Sequence, residues 1–186
     1  SINNKLFRRL RRQHQRTRIS SSTERNLAVA LGELQRLAAQ MGLPRDVREE
    51  AAYIYRKAVE KKLVRGRSIE GVVAASLYAA CRMRKIPRTL DEVGEFSRTG
   101  RKEIGRTYRF LASELKINVP LADPESYIPR FCSMLGLNFD VQREALQIIQ
   151  SIGDMAMVSR GPTGIAGAAI YLSAKRNSHE RTQSDV

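Results

Sequence analysis

Tryptophan is absent from the 186 residues, and cysteine occurs only twice. Cys81 and Cys132 both lie in apolar stretches, and no CxxC pair or Cys/His cluster with zinc spacing occurs. The sequence therefore indicates neither a disulfide framework nor a metal site, and no cofactor is expected in this chain. We expect both cysteines to be buried and reduced, as in an intracellular protein.

Long hydrophobic runs and strand-like alternation are also missing. No period-2 pattern of useful length occurs, so β-structure is not indicated. The most apolar stretch, Gly71–Cys81, is too short to span a bilayer. The N-terminus is basic but lacks the apolar region of a signal peptide. Apolar residues instead recur at helical spacing, which predicts an all-α fold without a membrane partner.

Acidic residues are scarce relative to basic ones: 33 Lys and Arg stand against 19 Asp and Glu, for a net charge of +14. The excess is uneven, with +7 in residues 1–18, +8 in residues 19–116 and −1 in residues 117–186. A solvated, highly charged surface explains the charged fraction but not this bias in sign. The distribution favours an anionic partner that binds the N-terminal arm and the first half of the chain.

A helix at Ser68–Arg84 organises the chain. Its apolar residues, such as Val72, Leu77 and Ala80, cover every side, which predicts a helix buried all round. The same design returns at Gly161–Arg176, which we also expect to be buried. Ungapped alignment of the two halves pairs several further residues: Gly42/Gly136, Val47/Val141, Ala51/Ala145, Gly71/Gly164, Ala75/Ala168 and Tyr78/Tyr171. The sequence thus predicts two copies of one helical domain.

Capping residues, glycines and prolines set the predicted helix bounds. Ser21 and Glu24 fit a capping box, Gly42-Leu43-Pro44 ends the first helix, and Arg65-Gly66-Arg67 forms a basic turn. The predicted helices that follow the first are Arg45–Val64, Ser68–Arg84, Leu90–Phe96, Arg101–Leu115, Glu125–Leu135, Asp140–Val158 and Pro162–Arg176, with a further start at Thr182.

The pair of helices at Leu90–Phe96 and Arg101–Leu115, with the turn Ser97–Gly100 between them, resembles a helix-turn-helix. Basic residues lie in the turn and near the start of the second helix: Arg98, Arg101, Lys102 and Arg106. Any two packed helices can show such a pattern. The sequence therefore leaves open whether this pair is a DNA-binding helix-turn-helix or an ordinary packed helix pair.

No catalytic constellation is present in the sequence. His14 and His179 lie in polar ends, away from any apolar pocket signal, and neither has a plausible Cys or Ser nucleophile nearby. The glycines of Gly161–Gly167 are not followed by the Lys-Ser/Thr of a phosphate loop, so close helix packing is the better account. We expect the protein not to be an enzyme.

Several runs are similar to one family: RISSSTERNLA, IYRKAVEKKLVRGRSIEGV, AASLYAACR, PRTLDEV and SRTGRKEIGRTYRFL. From about Leu6 to Val186 the chain resembles the core of archaeal transcription factor B, the counterpart of eukaryotic TFIIB. The resemblance implies two tandem cyclin-like repeats of five helices. The implied domains are a basic arm (1–20), a first repeat (21–116), a linker (117–124) and a second repeat (125–186), which we expect to be incomplete at its C-terminus.

The resemblance also implies a function and partners. A family member binds the TATA-binding protein on promoter double-stranded DNA flanking the TATA box, recruits DNA-directed RNA polymerase and helps promoter opening. The family's N-terminal zinc ribbon and the second repeat's DNA-reading helices have no counterpart in this sequence, so we expect weak sequence discrimination. A monomer is expected, located at the nucleoid of an archaeal cytoplasm or in a eukaryotic nucleus.

Residue roles carried over by matching position follow the same resemblance. DNA contact is implied for Arg65, Gly66, Arg67, Arg98, Arg101, Lys102, Arg106 and Arg160. Contact with the TATA-binding protein is implied for Arg82, Arg101 and Lys102. Contact with the polymerase is implied for the arm residues Arg8, Arg9, Arg11, Arg12, Arg16 and Arg18. The alternative is a cyclin-like adaptor that binds proteins and never touches DNA, against which the positive charge argues.

Overall fold

The computed structural model describes residues 23–152, 161–179, 181, 182 and 185. All regular secondary structure in these ranges is helical, which confirms the predicted all-α class. The α-helices are α1 (23–40), α2 (Arg45–Glu60), α3 (Ile69–Met83), α4 (Leu90–Phe96), α5 (Arg101–Glu114), α6 (Ile128–Met134), α7 (Phe139–Ile152) and α8 (Pro162–Arg176). A 3-10 helix, Pro124–Tyr127, precedes α6.

Two compact units make up the described chain. The first runs up to Ala80 and resumes over Leu90–Ile117, and the second comprises Cys81–Thr89 and the residues from Asn118 onward. The segment Cys81–Thr89 thus belongs with the second unit, although sequence continuity alone predicts one unbroken first repeat. One physical reason is that the Arg82 guanidinium donates a hydrogen bond to the Pro120 carbonyl at 2.8 Å.

Helix α3 is the centre of the first unit. Every residue from Gly71 to Cys81 is buried, so the prediction of a helix buried all round is confirmed. Its single interior hydroxyl, Ser76, donates to the Val72 carbonyl at 2.8 Å and therefore leaves no unsatisfied donor in the core. Small side chains at Ala74, Ala75 and Ala79 let neighbouring backbone approach from several sides.

The internal repeat is visible in the backbone as well as in the sequence. Gly42 and Gly136 occupy matching positions and adopt left-handed φ values of 61° and 63°. In each case the next residue's N–H closes the preceding helix at 2.9 Å, from Leu43 to Ala38 and from Leu137 to Cys132. Both turns are Schellman-type caps. The paired glycines of the two halves therefore have the same role, which is to end the preceding helix in a left-handed conformation.

Helix α8 departs from the prediction that it is buried all round. Its buried residues are Ala166, Ala169, Ile170, Ser173 and Ala174. The opposite face is open, because Gly164 and Ala168 are exposed and Leu172 is 46% exposed. In the described chain α8 packs on α7, α6 and the 3-10 helix, which cover one side only. Small apolar residues permit burial on all sides, but neighbouring helices are needed to produce it.

Some predicted bounds were also wrong. Helix α2 ends at Glu60, before the predicted Val64, because Lys62 takes a left-handed φ of 60° and Leu63 N–H bonds back to Ala58. The segment predicted as one helix from Glu125 is divided. Pro129 has no N–H to continue the ladder, so a 3-10 turn precedes α6.

Candidate nucleic-acid interface

The basic turn between α2 and α3 is as tight as the sequence predicts. Gly66 adopts a φ of 71°, and the Arg67 N–H donates to the Val64 carbonyl at 3.3 Å. A left-handed residue at this position suits glycine, since an L side chain would be strained there. Arg65 and Arg67, which flank the glycine, are both exposed.

Helix α5 holds this turn through three contacts. Lys61 Nζ donates to the Glu114 carbonyl at 3.3 Å. The Arg67 guanidinium carbon lies 3.9 Å from the centroid of the Phe110 ring, a cation–π distance. The Ser68 hydroxyl donates to Glu103 Oε1 at 2.8 Å. Along α5 these contacts run from its C-terminal end toward its first turn, so the turn lies lengthwise on the helix.

A basic face of α5 adjoins the turn. A shallow groove there is lined by Leu90, Arg101, Lys102, Gly105, Arg106 and Arg109. Arg106 and Phe110 are four residues apart and therefore neighbours on the helix surface. Arg67 therefore lies beside the Arg106 end of this groove. We call the exposed cations of the turn and of α5 together the α5 basic surface: Arg65, Arg67, Arg101, Lys102 and Arg106.

The α4–turn–α5 arrangement supports this surface. An added Cβ at Gly94 would lie 3.6 Å from the Arg101 backbone nitrogen, so the two helices approach closely at the turn. Arg101 forms an ion pair with Asp91 at 3.3 Å, yet its side chain stays 65% exposed. An exposed pair of this kind contributes little to stability and leaves the guanidinium free to exchange partners.

Arg98 faces another element of the first unit. The pKa of Glu33 on α1 is lowered, first by its hydrogen bond from Arg36 and to a smaller extent by the positive charges of Arg36 and Arg98. Arg98 is itself exposed.

Arg82, in the second unit, is half-buried and donates to the Pro120 carbonyl, as described above. The remaining sequence-predicted residues lie outside the described residues: Arg160 and the arm residues Arg8, Arg9, Arg11, Arg12, Arg16 and Arg18.

Sequence reasoning missed Arg109, Lys61, Glu103 and Phe110. Arg109 was within reach, since it follows Arg101 and Lys102 on one helical face at spacings of eight and seven. No local signal marks Phe110 or Glu103, because their partners lie more than thirty residues away in the chain.

Metal binding and membrane insertion find no support in the described part of the chain. No group of three or more His, Cys, Asp or Glu side chains there is placed to hold a metal ion. Among the same residues, no helix has the length and apolarity that crossing a membrane requires.

A matched pair of glycine substitutions tests how Ser68 and Glu103 are packed. An added Cβ at Gly71 would lie 2.6 Å from Ser68 Oγ and 2.8 Å from Glu103 Oε1, whereas at Gly164 it meets nothing within 4 Å. Gly164→Ala should raise the free energy of unfolding by about 0.5–1 kcal/mol through helix propensity. Gly71→Ala should gain nothing, because the new methyl group displaces Ser68 Oγ, which accepts the Gly71 N–H at 3.0 Å as a helix cap worth about 1 kcal/mol. Urea unfolding measures both, and equal stabilisation would contradict this packing.

Comparison with known proteins points to one family. The family model described as "Transcription factor TFIIB repeat" matches residues 23–114 and again 117–186. Transcription initiation factor IIB of Archaeoglobus fulgidus is 57% identical over 179 residues, which are 96% of this chain and 55% of that protein. The proteins of the same name from Methanococcus aeolicus and Methanoculleus marisnigri are each 56% identical over 96% of this chain, and 54% and 53% of their own lengths are covered. The chain spans about half the length of these relatives.

Proposed function

Because the chain belongs to the transcription factor TFIIB family and carries two of its cyclin-like repeats, we propose that it works as a general transcription initiation factor. In this proposal it binds the complex of TATA-binding protein and promoter DNA, and it recruits and orients RNA polymerase for promoter opening. It acts without catalysing a reaction and without a cofactor held by this chain, as a monomer at the nucleoid of an archaeal cell.

The α5 basic surface is the observation that carries this proposal. Arg67, which follows Arg65 and Gly66 in the turn, packs on Phe110 of α5. Arg101, Lys102 and Arg106 line a groove on the same helix. Clustered exposed cations of this kind bind DNA phosphates and release condensed counterions, which supplies affinity. A protein-binding adaptor has no need of such a cluster.

Different basic groups receive different partners in this proposal. The α5 basic surface contacts DNA beside the TATA box, with Arg98 and Arg160 as further DNA contacts. Arg101 and Lys102, with Arg82, also face the TATA-binding protein. The basic arm lies along the polymerase. Phosphate contacts position a protein without reading sequence, so the TATA-binding protein supplies most of the sequence selection.

Binding to promoter DNA in the presence of TATA-binding protein tests the proposal. We expect a ternary complex on a fluorescent duplex with a TATA box, measured by anisotropy between 50 and 200 mM KCl. About three phosphate contacts predict that affinity falls about 40-fold over this range. A complex insensitive to salt, or association with a protein partner but none with DNA and TATA-binding protein, would favour the cyclin-like adaptor instead.

A further inference from the structure

The stack of Arg67 on Phe110 has a role that goes beyond holding the turn in place. We propose that Phe110 is a positioning residue, which holds the Arg67 guanidinium so that its N–H edge is presented to the DNA backbone. This inference rests on the proposed function and assigns to Phe110 a role in binding, although its ring touches no DNA.

The geometry of a guanidinium on a ring carries the first step. Arg67 Cζ lies 3.9 Å from the Phe110 centroid, while Arg67 as a whole is exposed and Phe110 is half-buried. The guanidinium carbon lies over the ring, and the five N–H donors of a guanidinium lie in the plane of the group. Stacking on a ring therefore uses a surface of Arg67 that phosphate does not need.

The second step concerns conformational freedom. The Arg67 backbone N–H is bonded to the Val64 carbonyl, and the side chains of Lys61 and Ser68 bond to α5 on either side of it. The remaining freedom is in the long Arg67 side chain, which has many rotamers in solution. Phe110 removes part of that freedom before DNA arrives, and preorganisation of this kind raises affinity by lowering the ordering cost of binding.

Arg65, on the other side of Gly66, provides an internal comparison. With the described residues it forms no ion pair and no ring contact of the kind that holds Arg67. The turn thus carries one arginine packed on a ring and one without such a contact, on either side of a single glycine. Only the packed one should depend on Phe110.

The experiment is a double-mutant cycle on the ternary complex of TATA-binding protein, promoter DNA and this chain. Phe110→Leu keeps an apolar side chain of similar reach but removes the aromatic face, and Phe110→Tyr restores that face. We expect Phe110→Leu to weaken affinity about two- to tenfold and Phe110→Tyr to retain it. In an Arg67→Ala background Phe110→Leu should have no further effect, whereas in an Arg65→Ala background its full effect should remain. Phe96→Leu, on the 39% exposed ring of α4, is the matched control and should leave affinity unchanged.

The outcomes separate this inference from the proposed function. Absence of any salt-dependent complex with the unsubstituted chain overturns the proposed function itself. A normal complex that Arg67→Ala or Phe110→Leu does not weaken overturns only the positioning role. The positioning role also fails if Phe110→Leu weakens binding equally in the Arg67→Ala background. It fails as well if Phe110→Leu lowers the melting temperature and Phe110→Tyr does not retain binding. Each of these results is what a merely structural role of Phe110 predicts.

Discussion

Ala75→Asp is expected to unfold the first unit at room temperature. Ala75 is completely buried on α3, where every neighbouring residue from Gly71 to Cys81 is buried as well. An aspartate there adds volume to a close-packed interior and places an unpaired carboxylate away from water. The expected loss is about 4–5 kcal/mol or more, comparable with the entire stability of many domains, about 5–15 kcal/mol.

The internal repeat supplies the control for this substitution. Ala168 occupies the matching position of α8 and is exposed in the 186-residue chain. Ala168→Asp should therefore change the free energy of unfolding by about 0.5 kcal/mol or less, apart from a small propensity cost. Circular dichroism during urea unfolding compares the two variants directly. Equal destabilisation would mean that the two faces are buried alike, contrary to the structure.

Reversing the charge of the α5 basic surface should abolish the complex with TATA-binding protein and promoter DNA. The substitutions are Arg101→Glu, Lys102→Glu and Arg106→Glu, all at exposed positions of α5. Each substitution replaces an attraction to phosphate by a repulsion. It also removes the favourable release of DNA counterions that accompanies a phosphate contact. We expect affinity to fall at least about 100-fold at 100 mM salt, since a loss of about 1 kcal/mol per site already multiplies to that order.

The fold should survive this reversal, because the ion pair of Arg101 with Asp91 is exposed and contributes little to stability. Acidic side chains near the start of α5 also interact favourably with the dipole of that helix. The control changes the net charge equally on α2 in the same unit, at the exposed Arg45 and Arg56 and the half-buried Lys57, through Arg45→Glu, Arg56→Glu and Lys57→Glu. Anisotropy titrations should show no more than about a threefold loss for the control. Equal losses would assign the effect to net charge alone and remove the α5 basic surface from the proposal.

Local signals in the sequence predicted much of the fold. The bounds of α4 (Leu90–Phe96) and α8 (Pro162–Arg176) match their predictions, because Pro87 and Pro162 restrict the backbone regardless of context. The turn at Gly66 was predictable because glycine tolerates the left-handed φ that a tight turn needs. The burial of α3 followed from its composition, since a helix with apolar residues on every side is stable in water only inside a core.

Other features depended on partners that are distant in the chain. The half-buried Arg82 donates to a carbonyl 38 residues away, which no local pattern indicates. The candidate site shows the same division. Its cations were predictable from charge, whereas Phe110 and Glu103, which hold the turn, acquire their roles only when α5 lies against it.

The helical class, the duplication, and the sign and position of the charge were predictable from periodicity, self-similarity and composition, and the family from the similarity of several sequence runs. The two similar central helices nevertheless differ in burial, which their patterns do not reveal: Ala75 on α3 is enclosed, and Ala168 on α8 faces solvent. Burial depends both on the apolar surface of a helix and on the elements that pack against it, and the helix's own sequence pattern describes only the first of these.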